Sequence, residues 1–219
     1  MRPLPQLCIR QLHNRIPQRP IPEPTPFVPD VPTFLTLIGR KLSAHASKIP
    51  DWAALFTLSS EQLRELGVEP PRSRRYLLHW REKFRNGEFG VAGDAKYVHD
   101  GAALVHVVEH QGRPAAGAAP ALATATSSPG ARKLAVNVSS PTPTADQLKS
   151  GKPLRGISVH GAHTIVGPHV EAVKGGKGVL GRIVAKEGLW EERRGHKVDG
   201  GERRKAEVRA KRRAEANRT

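Results

Sequence analysis

Between residues 27 and 90, apolar residues recur every three or four positions, which is the spacing of helices with one buried face. The first stripe begins at Phe34 and ends at Leu42, and it predicts a helix with Thr33 as its N-cap. A second, shorter helix is predicted from Asp51, because three apolar residues follow it at helical spacing. This pattern indicates the first half of a small helical bundle.

Start and stop signals define a third and a fourth helix in the same region. Ser59 and Gln62 stand at capping-box spacing, and Gly67 ends the apolar run that follows them. The fourth helix is predicted to begin after Pro70-Pro71 and to end at Gly87. Most of the aromatic side chains of the protein fall in these segments, so the packed core is expected there.

The rest of the chain carries weaker signals. A β-hairpin is predicted over 96–109, because β-prone residues flank the turn dipeptide Asp100-Gly101. Residues 113–145 are mostly Ala, Ser, Thr and Pro, which is typical of a linker. No stable sheet is expected in the Gly-rich stretch 151–181. The segment 202–218 lacks Gly and Pro, so we expect it to be helical when bound to a partner.

The N-terminal segment 1–22 contains four arginines and no acidic residue. Leu4, Cys8, Leu12 and Ile16 recur every four residues, which makes one face of this segment apolar. An amphipathic, arginine-bearing start without acids is typical of a mitochondrial presequence. The alternative is a disordered basic arm that contacts nucleic acid in the mature protein.

The predicted fold class is mainly α. A small four-helix bundle is followed by a β-hairpin, and long irregular basic extensions complete the chain. The predicted organisation is a mitochondrial presequence (1–22), a helical domain with the hairpin (27–112), an Ala/Pro-rich linker (113–145), and a basic Gly-rich extension that ends in a basic helix (146–219).

The charge balance points to a polyanionic partner. The 219 residues include 36 Lys and Arg against 20 Asp and Glu, a formal net charge of +16. Each basic group placed against a phosphate releases a condensed counterion, which favours nucleic-acid binding. Only 37% of the residues are hydrophobic, too few for a compact core along the whole length.

Other function classes find little support in the composition. The single cysteine excludes a disulfide scaffold and a cysteine-ligated zinc site. No apolar run reaches the roughly 18 residues of a membrane span, so no membrane partner is expected. Neither paired carboxylates nor an activated nucleophile can be assembled, so we expect no enzyme activity, no cofactor and no small-molecule substrate.

The order of motifs in the bundle resembles a known family. Leu37-Ile38-Gly39-Arg40 is followed by an aromatic segment at Trp52, then by the run 63–68, and then by the basic start of the fourth helix at 72–80. This order is similar to the IGR-motif family, whose members include a protein of the mitochondrial ribosomal small subunit. The stretch 63–80 also resembles the closing half of a sterile-alpha-motif bundle. The resemblance implies a sterile-alpha-motif-like fold.

Three groups of basic residues are candidates for RNA contact. The first follows the Ile-Gly of the motif, the second opens the fourth helix, and the third lies in the tail. They are Arg40 and Lys41; Arg72, Arg74 and Arg75; and Arg203, Arg204, Lys205, Arg209, Lys211, Arg212 and Arg213. At the fourth helix an anion could bind the free backbone N–H groups of the first turn. The alternative for each group is a solvated charged face.

Three further patterns are weighed separately. Gly39 is predicted to lie inside the first helix, where a close helix crossing is favoured over backbone contact with RNA. Gly176, Gly178 and Gly181 match the spacing of a dinucleotide loop, but no strand is predicted before them. The cluster of His160, His163 and His169 lacks cysteine partners, so we expect no metal site there.

The resemblance and the charge together predict a structural protein of the mitochondrial ribosomal small subunit. Its expected partners are small-subunit rRNA and neighbouring mitochondrial ribosomal proteins. Two alternatives from other classes remain open. One is a protein–protein adaptor that acts through its sterile-alpha-motif-like domain, and the other is a mitochondrial nucleic-acid-processing factor.

Overall fold

The fold is taken from a computed structural model of the chain. It describes residues 20–111, 122–167, 169–173, 175–176, 178–193, 196–197 and 200–217. The predicted presequence therefore lies outside the described residues except for its last three positions, and so does the beginning of the predicted linker.

The predicted bundle is present, with its helices close to the expected positions. It consists of α1 (Val31–Ile38), a 3₁₀ helix (Leu42–Lys48), α2 (Trp52–Thr57), α3 (Ser60–Glu65) and α4 (Pro71–Arg85). The capping box of α3 is formed as predicted: the Gln62 amide N–H donates to Ser59 Oγ, and the Ser59 amide N–H donates to Gln62 Oε1. The turn after α3 is a Schellman motif, in which the amide N–H of Val68 donates to the Leu63 carbonyl over 2.9 Å.

The first helix differs from the prediction at both ends. Its N-cap is Asp30, whose carboxylate accepts from the Thr33 amide over 2.8 Å, so Thr33 lies inside the first turn. The helix ends at Ile38, and Gly39 is the C-cap with φ +70°. Gly39 is therefore not a mid-helix residue as predicted. The apolar stripe continues to Leu42 because the following 3₁₀ helix buries that side chain in the same core.

Four aromatic rings fill the centre of the bundle. Phe34, Trp52, Phe56 and Phe84 come from three different helices, and their ring centroids lie 5.1 to 6.4 Å apart. Most of these pairs are edge-on or tilted, which is the favoured arrangement for aromatic quadrupoles. The helices themselves are too short to be stable alone, so this cluster provides much of their stability.

The second half of the chain is a sheet structure, which corrects the mainly-α prediction. The strands are β1 (Val98–His99), β2 (Ala102–Gln111), β3 (Ala131–Val138), β4 (Ser158–His160), β5 (Thr164–Val166), β6 (Val170–Ala172), β7 (Leu180–Val184), β8 (Glu192–Arg193) and β9 (His196–Lys197). The pairings between these strands in the described residues are antiparallel. The predicted hairpin is confirmed as β1–β2, where Asp100 and Gly101 adopt positive φ of 50° and 66° as a hairpin turn requires.

The long strand β2 organises the main sheet. β1 and β3 pair along one edge of it, β7 pairs along the other, and β6 continues outward from β7. β4 and β5 form a separate hairpin, as do β8 and β9. The linker prediction for 113–145 is wrong over Ala131–Val138, because this segment is β3 and its last four residues are buried.

The irregular-extension prediction for 146–219 is wrong as well. Between α5 (Ala145–Ser150) and α6 (Gly200–Ala216) the chain forms six of the strands. Glycine at position 181 gives close packing: a Cβ there would lie 3.0 Å from Val170 and 3.2 Å from Ile165, tighter than an ordinary contact between β7 and the β4–β5 hairpin. The predicted tail helix is confirmed as α6.

A buried amide joins β3 to the hairpin. Asn137 Oδ1 accepts from the amides of Lys96 and Tyr97, at 2.9 and 2.7 Å. Its Nδ2 donates to the carbonyls of Tyr97 and Leu104, at 3.0 and 2.9 Å. This one side chain satisfies four backbone groups, which makes it a structural residue of the sheet.

The bundle and the sheet share one hydrophobic core. Val105 of β2 and Ile183 of β7 are fully buried in the same cluster as the helical residues, and so is Trp190. Among the described residues, no helix combines the length and the apolar character needed to cross a membrane.

Candidate functional site

The end of α1 forms an unusual backbone turn. Gly39, Arg40 and Lys41 all have positive φ, at 70°, 55° and 60°. Two consecutive non-glycine residues in this region are uncommon, and such strain persists only where surrounding contacts over-determine it. These contacts come from a segment about 150 residues further along the chain, which we call the clasp segment (residues 188–192).

The clasp segment binds α1 through backbone hydrogen bonds. The amide of Gly188 donates to the Thr36 carbonyl, and the amide of Trp190 donates to the Leu37 carbonyl, both over 2.8 Å. A Cβ on Gly39 would lie 2.7 Å from the Cα of Gly188. The backbones can approach this closely because residue 39 has no side chain. The close approach predicted for Gly39 is therefore to this segment and not to a crossing helix.

Arg40 and Tyr76 hold the end of the clasp segment. The Arg40 guanidinium lies 3.7 Å from the centroid of the Tyr76 ring, and its Nη2 donates to the Glu192 carbonyl. The Tyr76 hydroxyl donates to the Ile38 carbonyl over 2.8 Å and accepts from the Glu192 amide over 3.1 Å. Both backbone groups of Glu192 are thus bound by side chains of the bundle.

The side chain of Glu192 is bound as well. Its carboxylate accepts from Lys83 Nζ on α4 over 2.8 Å, and both partners are largely buried. Lys83 also lies 4.8 Å above the Trp80 ring. A partly buried ion pair with an added cation–π contact is screened less by salt than an exposed one.

Trp190 inserts into a slot beside α4. Its ring stacks on Trp80 with centroids 5.6 Å apart and an interplanar angle of 23°, and each residue is 2% exposed. Its Nε1 donates to the Val91 carbonyl over 2.9 Å. Gly90 and Gly93 form the wall of the slot, where any Cβ would collide with the indole. The clasp segment is therefore fixed at both its glycine and its tryptophan.

Burial changes the titration of Tyr76. Desolvation of the phenol raises its pKa above the ordinary value, and the hydrogen bond to the backbone of Glu192 opposes that rise. The hydroxyl consequently stays protonated and available as both donor and acceptor over the whole physiological range.

The first group of RNA candidates is divided by this arrangement. The guanidinium of Arg40 contacts the Tyr76 ring and the Glu192 carbonyl, so Arg40 has an internal role, and its contact with RNA stays a prediction. Lys41 is exposed. The sequence could not separate the two, because the partner of Arg40 lies 152 residues away.

The second group is divided too. Arg72 and Arg75 are exposed on α4, whereas Arg74 is 8% exposed. Arg74 Nη1 lies 2.7 Å from Glu69 Oε1 and donates to the Val68 carbonyl over 3.0 Å. Arg74 thus joins α4 to the turn before it, and its contact with RNA stays a prediction.

The third group lies on α6. The side chains of Arg209, Lys211, Arg212 and Arg213 are exposed there. Arg203, Arg204 and Lys205 belong to the same helix, but their side chains lie outside the described part of the chain. Among the described residues, His160, His163 and His169 do not belong to a group of three or more side chains that could hold a metal ion.

Sequence reasoning missed the residues of the clasp segment. One signal was available: Trp190 is the only aromatic residue after Tyr97, in a sequence otherwise poor in large apolar side chains. An isolated tryptophan in such a context is best explained by burial against a distant element. Gly188 and Glu192 carried no comparable signal.

The comparisons with known proteins agree with this structure. Residues 19–87, which contain the bundle, match the family model described as the SAM domain of small ribosomal subunit protein mS41. A Neurospora crassa protein named small ribosomal subunit protein mS41 is 51% identical over 206 residues, covering 93% of this chain and 80% of that protein.

Yeast proteins with the same name match over a shorter region. One from Candida glabrata is 42% identical over 69 residues, which are 31% of this chain and 54% of that protein. One from Kluyveromyces lactis is 37% identical over 81 residues, 36% of this chain and 64% of that protein. With a bundle that matches the mS41 SAM domain and a near full-length relative, the chain belongs to the mS41 family of mitochondrial small ribosomal subunit proteins.

Proposed function

We propose that this protein is a structural component of the mitochondrial small ribosomal subunit that binds rRNA and neighbouring ribosomal proteins. The observation that carries the proposal is the similarity to the Neurospora crassa mS41 protein, which extends over 93% of the chain and therefore well beyond the bundle. The IGR-motif resemblance of residues 37–40 is kept as an interpretation of the same region. The proposal involves no catalysis and no cofactor.

The charge distribution supports RNA as a partner. All four described cations of α6 are exposed, and the only large apolar residue exposed beside them is Val208. A helix with no apolar face gains little from packing, so its basic side chains would be stabilised by a polyanion. Arg72, Arg75 and Lys41 add exposed positive charge on the bundle. Residues 1–22 would direct the protein to mitochondria before they are removed.

A sedimentation experiment tests the proposal. Mitochondrial lysate is separated on sucrose gradients at several salt concentrations, with and without ribonuclease, and probed for the full-length protein. We expect co-sedimentation with the small subunit that is lost after ribonuclease treatment. Co-sedimentation with a protein complex that resists ribonuclease would favour the adaptor alternative, and association with RNA outside the ribosome would favour a processing factor.

The contribution of α6 is tested with two matched variants. Changing Arg209, Lys211, Arg212 and Arg213 to Gln removes four charges and retains helix propensity. If each side chain neutralises one phosphate, the slope of log affinity against log salt should fall by about 0.7–0.9 per charge. The control changes the three arginines to Lys, which keeps the charge and should keep the slope. Equal slopes for wild type and the Gln variant would reject α6 as an RNA-binding helix.

A further inference from the structure

Along the chain, the clasp segment lies between β7 of the main sheet and the basic helix α6. We infer that the IGR segment (residues 38–40) and Tyr76 form an internal peptide-binding site whose occupant, the clasp segment, fixes the position from which α6 reaches RNA. This inference rests on the proposed function, because it assigns Arg40 an indirect part in RNA binding.

The β8–β9 hairpin limits the distance between the clasp segment and the start of α6. β8 starts at Glu192, and the β8–β9 hairpin returns the chain so that Lys197 lies opposite Glu192. Directly paired antiparallel residues are about 5 Å apart, and each further residue spans at most about 3.6 Å. The start of α6 at Gly200, three residues after Lys197, therefore lies within roughly 16 Å of Glu192.

Release of the clasp segment would lengthen the chain that connects α6 to its nearest anchor in the sheet. Ahead of this segment the chain is held at Ala185, whose amide donates to the Gly101 carbonyl over 2.9 Å. If Glu192 were free, Ala185 would become the anchor of α6, and the chain connecting the anchor to Gly200 would lengthen from 8 to 15 residues. The effective concentration of a tethered module falls with about the −3/2 power of linker length, so α6 would lose roughly two- to threefold in effective concentration at its RNA site.

The partners of Arg40 and Glu192 distinguish an indirect role of Arg40 in RNA binding from a direct one. Arg40 is bound to a neutral ring and a neutral carbonyl, while Glu192 is bound to Lys83. A phosphate contact of Arg40 contributes one positive charge to the salt slope of RNA binding, whereas an internal Arg40 stacked on Tyr76 contributes none. The two roles therefore make opposite predictions for the salt slope when the charge of Arg40 is removed, and for the affinity when the nearby acid is removed.

The experiment uses purified full-length protein and an in vitro transcript of the small-subunit rRNA of the same organism. The variants are Gly188→Val, which places a β-branched side chain at φ +76° next to Gly39, and the milder Glu192→Ala and Arg40→Lys. We expect each to weaken RNA binding about two- to threefold with an unchanged salt slope. Glu192→Ala is decisive, because removing an acid should strengthen binding if charge alone matters. The control Glu23→Ala removes an exposed acid outside the clasp and should not weaken binding.

A second measurement reports release directly. Hydrogen exchange at the amides of Gly188 and Trp190 should accelerate in all three clasp variants, while amides of the aromatic core of the bundle keep their protection. Wild-type protein that does not bind the transcript would overturn the proposed function. Wild-type binding with unchanged affinity in the clasp variants, despite faster exchange, would overturn only the positioning role. Arg40→Lys that binds like wild type, together with a lower slope in Arg40→Ala, would show that Arg40 contacts phosphate.

Discussion

Gly39 and Gly188 meet backbone to backbone although 149 positions separate them in the chain, and a Cβ on Gly39 would lie 2.7 Å from the Cα of its partner. This contact lets the Gly188 and Trp190 amides reach the last carbonyls of α1. Carbonyls at the end of a helix have no partner within the helix, so they are available to bind another segment. The glycine of the Ile-Gly-Arg motif thus joins the two halves of the protein.

Substitution of Gly39 should therefore destabilise the fold by two separate effects. Gly39→Ala places a side chain at φ +70° and also forces it against Gly188. Backbone strain alone costs about 1–3 kcal/mol, and overpacking adds about 1–3 kcal/mol. Urea denaturation followed by circular dichroism measures the sum as a loss of unfolding free energy.

Gly87→Ala is the matched control for this prediction. Gly87 has φ +71°, and nothing lies within 4 Å of the position of its Cβ. The unfolding free energy of Gly87→Ala should therefore fall only by the cost of backbone strain, about 1–3 kcal/mol. Equal losses in the two variants would mean that the contact with Gly188 contributes nothing to stability.

The stacked pair of Trp80 and Trp190 should behave as one energetic unit. Each single substitution to Ala removes a ring that is 2% exposed, so each should cost about 3–5 kcal/mol. The double variant should cost less than the sum by about 0.5–1.5 kcal/mol, which is the typical coupling of an aromatic pair. A double-mutant cycle from urea denaturation tests this, and strictly additive losses would contradict it.

The bundle was predictable because its signals are local. The capping box at Ser59 and Gln62, the stop at Gly67 and the hairpin turn at Asp100 each act within a few residues. The sheet was not predictable, because its partners are distant: Ala102 pairs with Val184 across most of the second half of the chain. Short strands separated by Gly and Pro carry too little periodicity to be distinguished from linkers.

The candidate site was predictable only in part for the same reason. Exposed cations at Arg72, Arg75 and Lys41 look identical in sequence to Arg40 and Arg74, which are bound internally. Contacts with the clasp segment and with the turn before α4 decide which of these cations remain exposed. A charge pattern can identify a basic surface, but tertiary contacts decide which members of it remain available to a ligand.

Arg74 and Arg75 offer a direct test of this division. Arg74→Gln removes the ion pair with Glu69 and leaves the Val68 carbonyl without its donor, so it should cost about 1–3 kcal/mol of stability. Arg75→Gln changes an exposed side chain and should stay within about 0.5 kcal/mol of wild type. Thermal denaturation of both full-length variants makes the comparison.

In RNA binding the effects of the same two substitutions should be reversed, so that Arg75→Gln has the larger effect. If Arg75 contacts a phosphate, Arg75→Gln should lower the salt slope of rRNA binding by about 0.7–0.9, whereas Arg74→Gln should leave the slope unchanged below its melting temperature. Arg75→Gln with a wild-type slope would place Arg75 on a solvated face.

The last prediction concerns the hydroxyl of Tyr76. Burial raises its pKa in the folded protein above that of the unfolded chain, near 10, so the folded state retains the phenolic proton more strongly. The stability that depends on this proton is fully present below about pH 10 and is lost as the pH rises from there through the folded pKa. Ionisation would also remove the donor to the Ile38 carbonyl. Above pH 10 the clasp segment should therefore loosen.

The measurement compares Tyr97→Phe with Tyr97→Phe/Tyr76→Phe, so that Tyr76 is the only tyrosine of the reference protein. Tyrosinate absorbance should rise at a pH above the ordinary value for tyrosine, because the buried phenol resists ionisation. At neutral pH the double variant should be about 0.5–3 kcal/mol less stable, since it lacks both hydrogen bonds of the hydroxyl. That difference should shrink as the pH rises above 10, because the hydroxyl of the reference protein then ionises. A stability difference independent of pH, or absorbance that rises at the ordinary pH, would show that Tyr76 is not enclosed by the clasp.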